Sequence, residues 1–235
     1  MNISNISGCL SVLTFKKIGR EGVSIIDFTL ARNFFNFCMI LLCLKYWKLN
    51  PIKDFPSKQR LFLVLRAIFG QTSFFLYQLT VLFIPLMLEM VILQTSPFWT
   101  SILALLINKE RVERFEYVAM VIGFLGVVGI TLSKPESSSS TYSESTRLTG
   151  IVLAFIMSWV YSTVCVINRR LKDVNFAIVL FYHSIFGICA STVIIIGEKL
   201  ITGNPFRIHT IEQYGYLLLC CIFDWVGLSF VTIAF

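Results

Sequence analysis

The chain has 235 residues, of which 56% are hydrophobic and 14% charged, and its mean hydropathy is +0.79. About a quarter of the residues in a soluble domain are charged, so this composition excludes an ordinary water-soluble fold and indicates a protein whose solvent is lipid. The formal net charge is +7, but the basic residues gather at the ends of apolar runs. That distribution is a signal of membrane topology rather than of nucleic-acid binding.

Apolar runs typical of membrane helices begin near the N-terminus. A short first helix is predicted over 6–15 and a second over 23–44, which contains Arg32 near its centre. At 1.5 Å per residue, Arg32 lies roughly 15 Å along this helix, where a charged group must be paired inside the protein. Asp27 is the acid of the same helix and an imperfect partner. A structural pair and a solute contact are therefore both open for Arg32.

The third predicted helix, over 61–83, carries a face of polar and small residues. These recur at helical spacing and are Arg66, Gly70, Ser73, Tyr77 and Thr80. Such a stripe lines either a neighbouring helix or a cavity, and Gln71 flanks it. Two interpretations of Arg66 stay open. Its long side chain either reaches the membrane surface or binds an anionic group of a solute.

The run from Pro85 to Glu110 is the stretch around which the other helices are expected to assemble. It is long enough to span a membrane, yet it contains Glu89, Gln94 and Pro97. Polar side chains, and backbone groups freed by a proline, are tolerated in lipid only where protein or water satisfies them. We therefore expect this helix to face the protein interior and its polar residues to line a cavity.

A fifth helix is predicted over 117–133, and a serine-rich polar linker follows at 134–147. The helix contains Gly123, Gly126 and Gly129. No strand precedes these glycines, so the pattern favours close helix packing over a nucleotide-binding loop. The linker is too polar to pack a core and is interpreted as the one internal boundary of the chain.

Three further spans are predicted after the linker, over 148–167, 176–196 and 214–235. His183 in the second of them is interpreted either as a satisfied core histidine or as a proton relay. Asp224 lies about 15 Å from either end of the last span, with no basic residue nearby in its own helix. An acid at such a depth is a functional hypothesis by default.

The order of features in the first half of the chain recurs in the second. IDF at 26–28 is echoed by VNF at 174–176, and FG at 69–70 by FD at 223–224. Two like units joined by a linker are typical of secondary transporters built from repeats. The first unit is assigned to 1–133 and the second to 148–235.

The second half is shorter than the first. With 69–70 matched to 223–224, residues 82–133 have no counterpart, and these hold two helices. We therefore expect the natural chain to continue for about 50 to 70 residues, with two more spans that supply the groups neutralising Asp224. An eight-helix product is expected to be unstable or to associate, so a homodimer is one expected state.

Loop charges predict an orientation. If the first helix begins in the cytoplasm, eleven basic residues fall in cytoplasmic loops and seven in the opposite loops. The positive-inside rule therefore favours a cytoplasmic start. The serine-rich linker is then predicted to be non-cytoplasmic, and the loop over 45–60 cytoplasmic.

Several short motifs resemble one known family, the EamA-type drug/metabolite transporters, and within it the G-type branch of solute carrier family 35. The motifs are LRAIFG at 65–70, Pro85-Leu86, TSP at 95–97 with ILA at 102–104, Lys109-Glu110 and Gly126-Val127. The resemblance covers nearly the whole chain. It implies an all-α integral membrane protein with ten helices in two inverted five-helix repeats. About eight helices are expected here, because the second repeat looks truncated.

The resemblance also implies a carrier that moves a small organic solute by alternating access through a central cavity between the repeats. A solute held by Arg66 would be anionic. The candidate cavity residues are Arg32, Arg66, Gln71, Tyr77, Glu89, Gln94, His183 and Asp224.

An alternative function is a non-transporting membrane protein, either an adaptor or a degenerate carrier, because helix bundles are also built for assembly alone. An enzyme is not predicted, since the chain shows no paired carboxylates, metal-ligand cluster or nucleophile with its base at suitable spacing. The expected partners are the lipid bilayer and the solute, without nucleic acid, cofactor or metal. The plasma membrane and an endomembrane are both open as locations.

Overall fold

The computed structural model of the chain describes residues 6–8, 10–11, 13–15, 17, 23–51, 59–108, 114–132, 144–202 and 210–233. These residues are almost entirely helical, and no strand occurs among them. The helices are α1 (Ile25–Trp47), α2 (Arg60–Phe83), α3 (Leu86–Leu93), α4 (Ser96–Leu103), a π-helix (Ala104–Asn108), α5 (Arg114–Leu132), α6 (Glu144–Arg170), α7 (Phe176–Thr202) and α8 (Ile211–Ile233). The described helical residues at 6–17 are called the N-terminal segment. The predicted all-α fold is confirmed.

Six helical stretches are long and apolar enough to cross a membrane. They are Ile25–Trp47, Arg60–Phe83, Leu86–Ile107, Ser145–Arg170, Phe176–Leu200 and Ile211–Phe230. A shorter apolar stretch within α5 covers Tyr117–Gly129. Because a span needs about 20 mostly apolar residues, these lengths agree with the predicted multi-pass architecture.

The chain divides into two compact units. The first comprises Met1–Gln71 with Leu171–Phe235, and the second comprises Thr72–Arg170. One boundary therefore falls inside α2 and the other just after α6. Each unit contains helices from both predicted repeats. The boundaries of the compact units therefore differ from the boundaries of the predicted repeats. The assignment of repeats to 1–133 and 148–235 stays a prediction.

Helix α1 has the end signals expected from its sequence. Ser24 Oγ accepts a hydrogen bond from the backbone N–H of Ile26 at 3.3 Å, and Asp27 lies in the first turn. Both features stabilise a helix N-terminus, where backbone N–H groups lack partners. At the other end Lys48 adopts φ 53°, and its N–H points at the carbonyls of the last turn. This left-handed residue ends the helix.

In the first unit, α1 packs against α7 along most of its length. The rings of Phe37 and Phe181 lie 5.7 Å apart, and those of Trp47 and Phe176 lie 5.3 Å apart. Since the contacts on α7 move backwards as α1 advances, the two helices are antiparallel. Their apolar seam is interrupted by polar residues, which form the candidate site.

The N-terminal segment packs against α8 through two serines. Ser7 Oγ donates to the backbone carbonyl of Phe223, and Ser11 Oγ donates to that of Cys220 at 3.5 Å. Both serines are buried. Hydroxyl groups between helices are typical of membrane bundles, where they satisfy polar groups without water. These contacts hold the backbone next to Asp224.

In the second unit, α6 packs closely on the junction between α2 and α3. Ile84, Ile92 and Ala154 form a buried apolar core there. A Cβ built at Gly150 would lie 2.8 Å from the Cβ of Phe83. Such a distance is too short for two carbon atoms, so a glycine is required for this approach of α6.

The predicted span over 85–110 is not one regular helix. Helix α3 ends at Leu93, α4 begins at Ser96, and a π-helix follows at Ala104–Asn108. Pro97, in the first turn of α4, lacks an N–H and its ring excludes the carbonyl four residues earlier, so the helix cannot continue through it. The proline was read from the sequence, but the break that it causes was not predicted.

Hydroxyl groups bind the backbone where α3 and α4 meet. Thr95 Oγ1 donates to the carbonyl of Ile92 at 2.7 Å and contacts Ser158 Oγ at 3.0 Å. Ser162 Oγ shares its hydrogen between the carbonyl of Ser158 at 2.7 Å and that of Ser96 at 2.9 Å. These hydroxyls add hydrogen bonds to the backbone at the helix break, where polar groups need partners within the protein.

Two details of the chain after α4 differ from expectation. The glycines of α5 were predicted to pack closely against another helix, but nothing in the part of the chain that the structure describes lies within 4 Å of a Cβ built at Gly123, Gly126 or Gly129. That prediction is wrong because these glycines lie on an exposed face of α5. Helix α6 begins at Glu144, so the last four residues of the predicted linker are helical, and 134–143 lie outside the described residues.

Candidate functional site

Two charged residues of the first unit form an ion pair inside the membrane-spanning helices. Arg32 Nε on α1 donates to Asp224 Oδ2 on α8 at 2.5 Å. The Arg32 side chain is 2% exposed and that of Asp224 is 15% exposed. The prediction that Arg32 pairs internally is confirmed, although the carboxylate comes from a residue 192 positions away. The expectation that helices beyond the given chain must neutralise Asp224 is wrong, because α1 supplies the partner.

A second group of buried polar side chains joins α1, α2 and α7. Gln71 Nε2 lies 2.8 Å from Asn33 Oδ1, 3.1 Å from His183 Nε2 and 3.0 Å from the His183 carbonyl. Arg66 Nη1 lies 3.4 Å from His183 Nδ1. All four side chains are buried. The structure therefore brings together Arg66, Gln71 and His183, three of the predicted cavity residues, with Asn33 as a further member.

We call Arg32, Asn33, Arg66, Gln71, His183 and Asp224 the polar cluster. Its two parts meet on α1, where Arg32 and Asn33 are adjacent residues. The cluster contains two guanidinium groups and one carboxylate.

Two glycines make room for the polar cluster. A Cβ built at Gly70 would overlap Arg66 Nη1 and lie 2.9 Å from His183 Nδ1. A Cβ built at Gly187 would overlap the amide groups of Gln71 and Asn33. A side chain at either position would therefore force groups of the polar cluster to shift, since these groups pass directly over the helix backbone.

Two more buried polar side chains lie between α1 and α7. The antiparallel register places Asn36 and Ser184 at about the same level, next to Asn33 and His183 on their own helices. Neither the amide of Asn36 nor the hydroxyl of Ser184 has a hydrogen-bond partner among the described residues. Buried polar groups are almost always satisfied, so these groups are available to a water molecule or to a ligand.

The remaining predicted cavity residues belong to the second unit. The hydroxyl of Tyr77 lies 4.0 Å from Met90 Sδ, and Tyr77 itself is partly buried. Glu89 is fully buried on α3, as expected for a polar residue facing the interior. Gln94 is exposed at the break between α3 and α4. The expected burial of Gln94 is not observed, because the break turns its side chain out of the helix seam.

The polar stripe predicted on α2 is buried, with Arg66, Gly70, Ser73 and Thr80 inside and Tyr77 partly so. The side chain of Arg66 accordingly contacts His183 and does not extend to the membrane surface. The structure thus disfavours the interpretation of Arg66 as a surface anchor.

Sequence reasoning missed Asn33, Asn36 and Ser184 as members or neighbours of the site. Each had a readable signal. Asn36 lies about one helical turn after Arg32, and the other two lie next to residues already singled out. A rule that counts every amide and hydroxyl inside a membrane span would have found all three, because such groups need partners in lipid.

The chain is similar to proteins of one transporter family. A model of the EamA-like transporter family matches residues 8–132, which is more than half of the chain. Solute carrier family 35 member G1 of Homo sapiens is 29% identical over 194 residues, covering 79% of this chain and 52% of the human protein. The Mus musculus protein of the same name is 28% identical over 193 residues, covering 79% of this chain and 51% of the mouse protein.

The chain spans about half the length of these curated relatives. A crystal structure of another protein superposes with a TM-score of 0.65, covering 98% of this chain and 76% of the other, at 14% sequence identity. A likeness at that identity shows the fold alone.

Proposed function

Because the chain belongs to the EamA-like transporter family, we propose that it carries a small organic solute across a membrane by alternating access. The protein is an integral, multi-pass membrane protein of a family of transporters. The observation that most supports a carrier is the polar cluster of the first unit. Charged and amide groups inside membrane spans are expensive and are found where a solute or ion passes.

The charge of the polar cluster supports an anionic solute. Arg32 and Arg66 are both buried, and Asp224 supplies the negative charge of the cluster. Guanidinium groups bind carboxylate and phosphate oxygens in a fixed, directional geometry, so we expect an anionic group of the solute beside Arg66. Gln71, Asn36 and Ser184 would donate or accept further hydrogen bonds from the same solute.

The experiment begins with a solute screen. The purified full chain is heated in the presence of small organic acids, phosphorylated compounds and neutral metabolites of similar size. A solute that binds the folded protein raises its melting temperature. We expect the stabilising compounds to be anionic.

Uptake of the stabilising compound into proteoliposomes then tests transport. Arg66→Gln is expected to abolish uptake, and Arg66→Lys to reduce it, because lysine keeps the charge but not the planar geometry. Arg169→Gln is the matched control, since Arg169 is exposed at the end of α6. Stabilisation without uptake by well-folded protein would support a non-transporting membrane protein instead. Uptake that survives Arg66→Gln would remove Arg66 from the site.

A further inference from the structure

Asn36 of α1 and Ser184 of α7 are buried side chains next to the polar cluster. Asn36 is 1% exposed and Ser184 is 0% exposed. One turn before Asn36, the side chain of Asn33 lies over Gly187, because a Cβ built at Gly187 would be 2.4 Å from Asn33 Cγ. Asn36 follows Asn33 by three residues, and Ser184 precedes Gly187 by three. Since α1 and α7 are antiparallel, Asn36 and Ser184 lie at the same level of the two helices.

Both polar atoms of the Asn36 amide and the hydroxyl of Ser184 lack a hydrogen-bond partner among the described residues. The two side chains therefore do not bond to each other, although they lie at the same level. Buried amides and hydroxyls are almost always hydrogen-bonded, and leaving one unpaired is costly. A bound polar group between the two side chains would remove this cost at both of them.

The same two residues adjoin the groups proposed to hold the anion. Ser184 follows His183, whose Nδ1 lies 3.4 Å from Arg66 Nη1. Asn36 lies one turn beyond Asn33, which is a member of the polar cluster. Successive Cα atoms are about 3.8 Å apart, so a solute whose acid group binds Arg66 can bring another part of its carbon chain to Ser184.

The chemistry of the two side chains selects the group that fits between them. An amide presents an oxygen acceptor and N–H donors, and a serine hydroxyl both donates and accepts. A carboxylate only accepts hydrogen bonds and an ammonium group only donates them, so neither can pair with both ends of the Asn36 amide. An alcohol hydroxyl can donate to Asn36 Oδ1 while it accepts from Ser184 Oγ.

We propose that Asn36 and Ser184 form a hydroxyl-binding subsite of the solute site, so that the transported solute is an organic anion that also carries an alcohol hydroxyl. This inference rests on the proposed function and names the class of solute within it. Arg66 holds the acid group, and Asn36 and Ser184 decide specificity. An otherwise equal anion without the hydroxyl binds less tightly, because it leaves both groups buried and unpaired.

Matched pairs of compounds test this selection. Each pair combines a hydroxylated anion with the same anion lacking the hydroxyl: 3-hydroxybutyrate with butyrate, 6-hydroxyhexanoate with hexanoate, and glycerol 3-phosphate with propyl phosphate. Their apparent dissociation constants are measured on the purified full chain by thermal stabilisation. In at least one pair we expect the hydroxylated member to bind about tenfold more tightly. The absence of any preference in all the pairs would overturn the proposal.

Ser184→Ala and Asn36→Leu remove the hydrogen-bonding groups and nearly keep the size of each side chain. Either variant should bind the two members of that pair equally, because no buried polar group then depends on the hydroxyl. The affinity for the hydroxyl-free member should stay at its wild-type value.

Ser191→Ala is the matched control for these variants. Ser191 is also a buried serine of α7, and it lies about two turns from Ser184. This variant should keep the full preference for the hydroxylated anion. A preference that survives both Ser184→Ala and Asn36→Leu, or one that Ser191→Ala removes equally, would exclude the subsite.

The stability of the empty protein separates a binding role from a structural one. A hydroxyl without a partner contributes no hydrogen bond to the fold, so Ser184→Ala should leave the melting temperature unchanged or raise it. If Ser184 instead joined the two helices through a buried water, its removal would lower the melting temperature by several degrees. Such a loss in Ser184→Ala, without one in Ser191→Ala, contradicts the proposal.

These results separate the inference from the proposed function. Anions that are taken up without any preference for a hydroxyl would leave the carrier and remove the subsite. A hydroxylated anion that binds through Ser184 but is not taken up would leave the subsite and remove transport. If no anion of the pairs or of the solute screen binds, both the subsite and the carrier are excluded.

Discussion

The two units of the molecule satisfy their buried polar groups in different ways. In the first unit, charged and amide side chains of α1, α2, α7 and α8 bind one another, as Arg32 binds Asp224. In the second, hydroxyl groups bind backbone carbonyls where α3 ends and α4 begins, as Ser162 binds Ser96. The first arrangement depends on charge and carries the proposed solute site. The second depends on backbone geometry and stabilises a broken helix.

The largest effect is expected from breaking the ion pair on one side. Asp224→Leu leaves Arg32 buried without its carboxylate, which should lower the free energy of unfolding by about 3–5 kcal/mol. The corresponding loss of melting temperature is about 10 °C. Thermal unfolding of the purified protein in detergent measures it.

Removing both charges should recover most of that loss. In Arg32→Met/Asp224→Leu neither charge is left unpaired, and apolar side chains fill the space. Asp173→Leu is the control, and a change at this exposed site should stay within about 0.5 kcal/mol. A double variant as unstable as the single variant would show that the pair is not the reason for the loss.

A smaller effect is expected from filling the space used by the polar cluster. Gly70→Ala and Gly187→Ala each place a methyl group against cluster side chains. Such overpacking typically costs about 1–3 kcal/mol and should also reduce solute binding, because Arg66 and Gln71 must move. Thermal unfolding and the solute screen report the two effects.

Gly126→Ala provides the matched control for these glycine variants. A Cβ at Gly126 meets nothing within 4 Å among the described residues. Alanine favours a helix more than glycine does, so this variant should be neutral or slightly more stable. Equal losses at Gly70 and Gly126 would mean that the loss of stability does not come from contact with the polar cluster.

In the second unit, loss of one hydroxyl should have a modest effect. Ser162→Ala leaves the carbonyl of Ser96 without that donor, and Thr95→Val removes the contact to Ile92 while keeping the side-chain shape. Each is expected to cost about 0.5–1.5 kcal/mol by thermal unfolding. Thr149→Val on the exposed face of α6 is the control. Losses as large as those of the ion pair would contradict the distinction between the units.

The predicted orientation can be checked without any change in stability. With the serine-rich linker non-cytoplasmic, an impermeant thiol reagent applied to sealed cells should label Ser138→Cys and not Ser57→Cys. Native cysteines are controlled for by labelling the parent protein in parallel. The reverse labelling pattern would mean that the orientation is opposite to the predicted one.

The sequence by itself determined the class of the protein and most of its helices. Apolar runs of about 20 residues with few charges can only be membrane helices, because every backbone polar group must be satisfied within the segment. The same constraint identified four candidate site residues, because ionisable groups inside membrane spans are rare. They are Arg32, Arg66, His183 and Asp224. Local spacing also identified the buried face of α2.

Only the tertiary structure decided how these groups are paired. Asp224 and Arg32 are 192 positions apart, so no pattern along one helix links them, and Asn33 joins Gln71 across α1 and α2. At the break between α3 and α4, the carbonyl of Ser96 likewise binds a hydroxyl that α6 supplies. Hydrophobic length is a property of one segment, whereas the partner of a buried charge is set by which helices lie side by side.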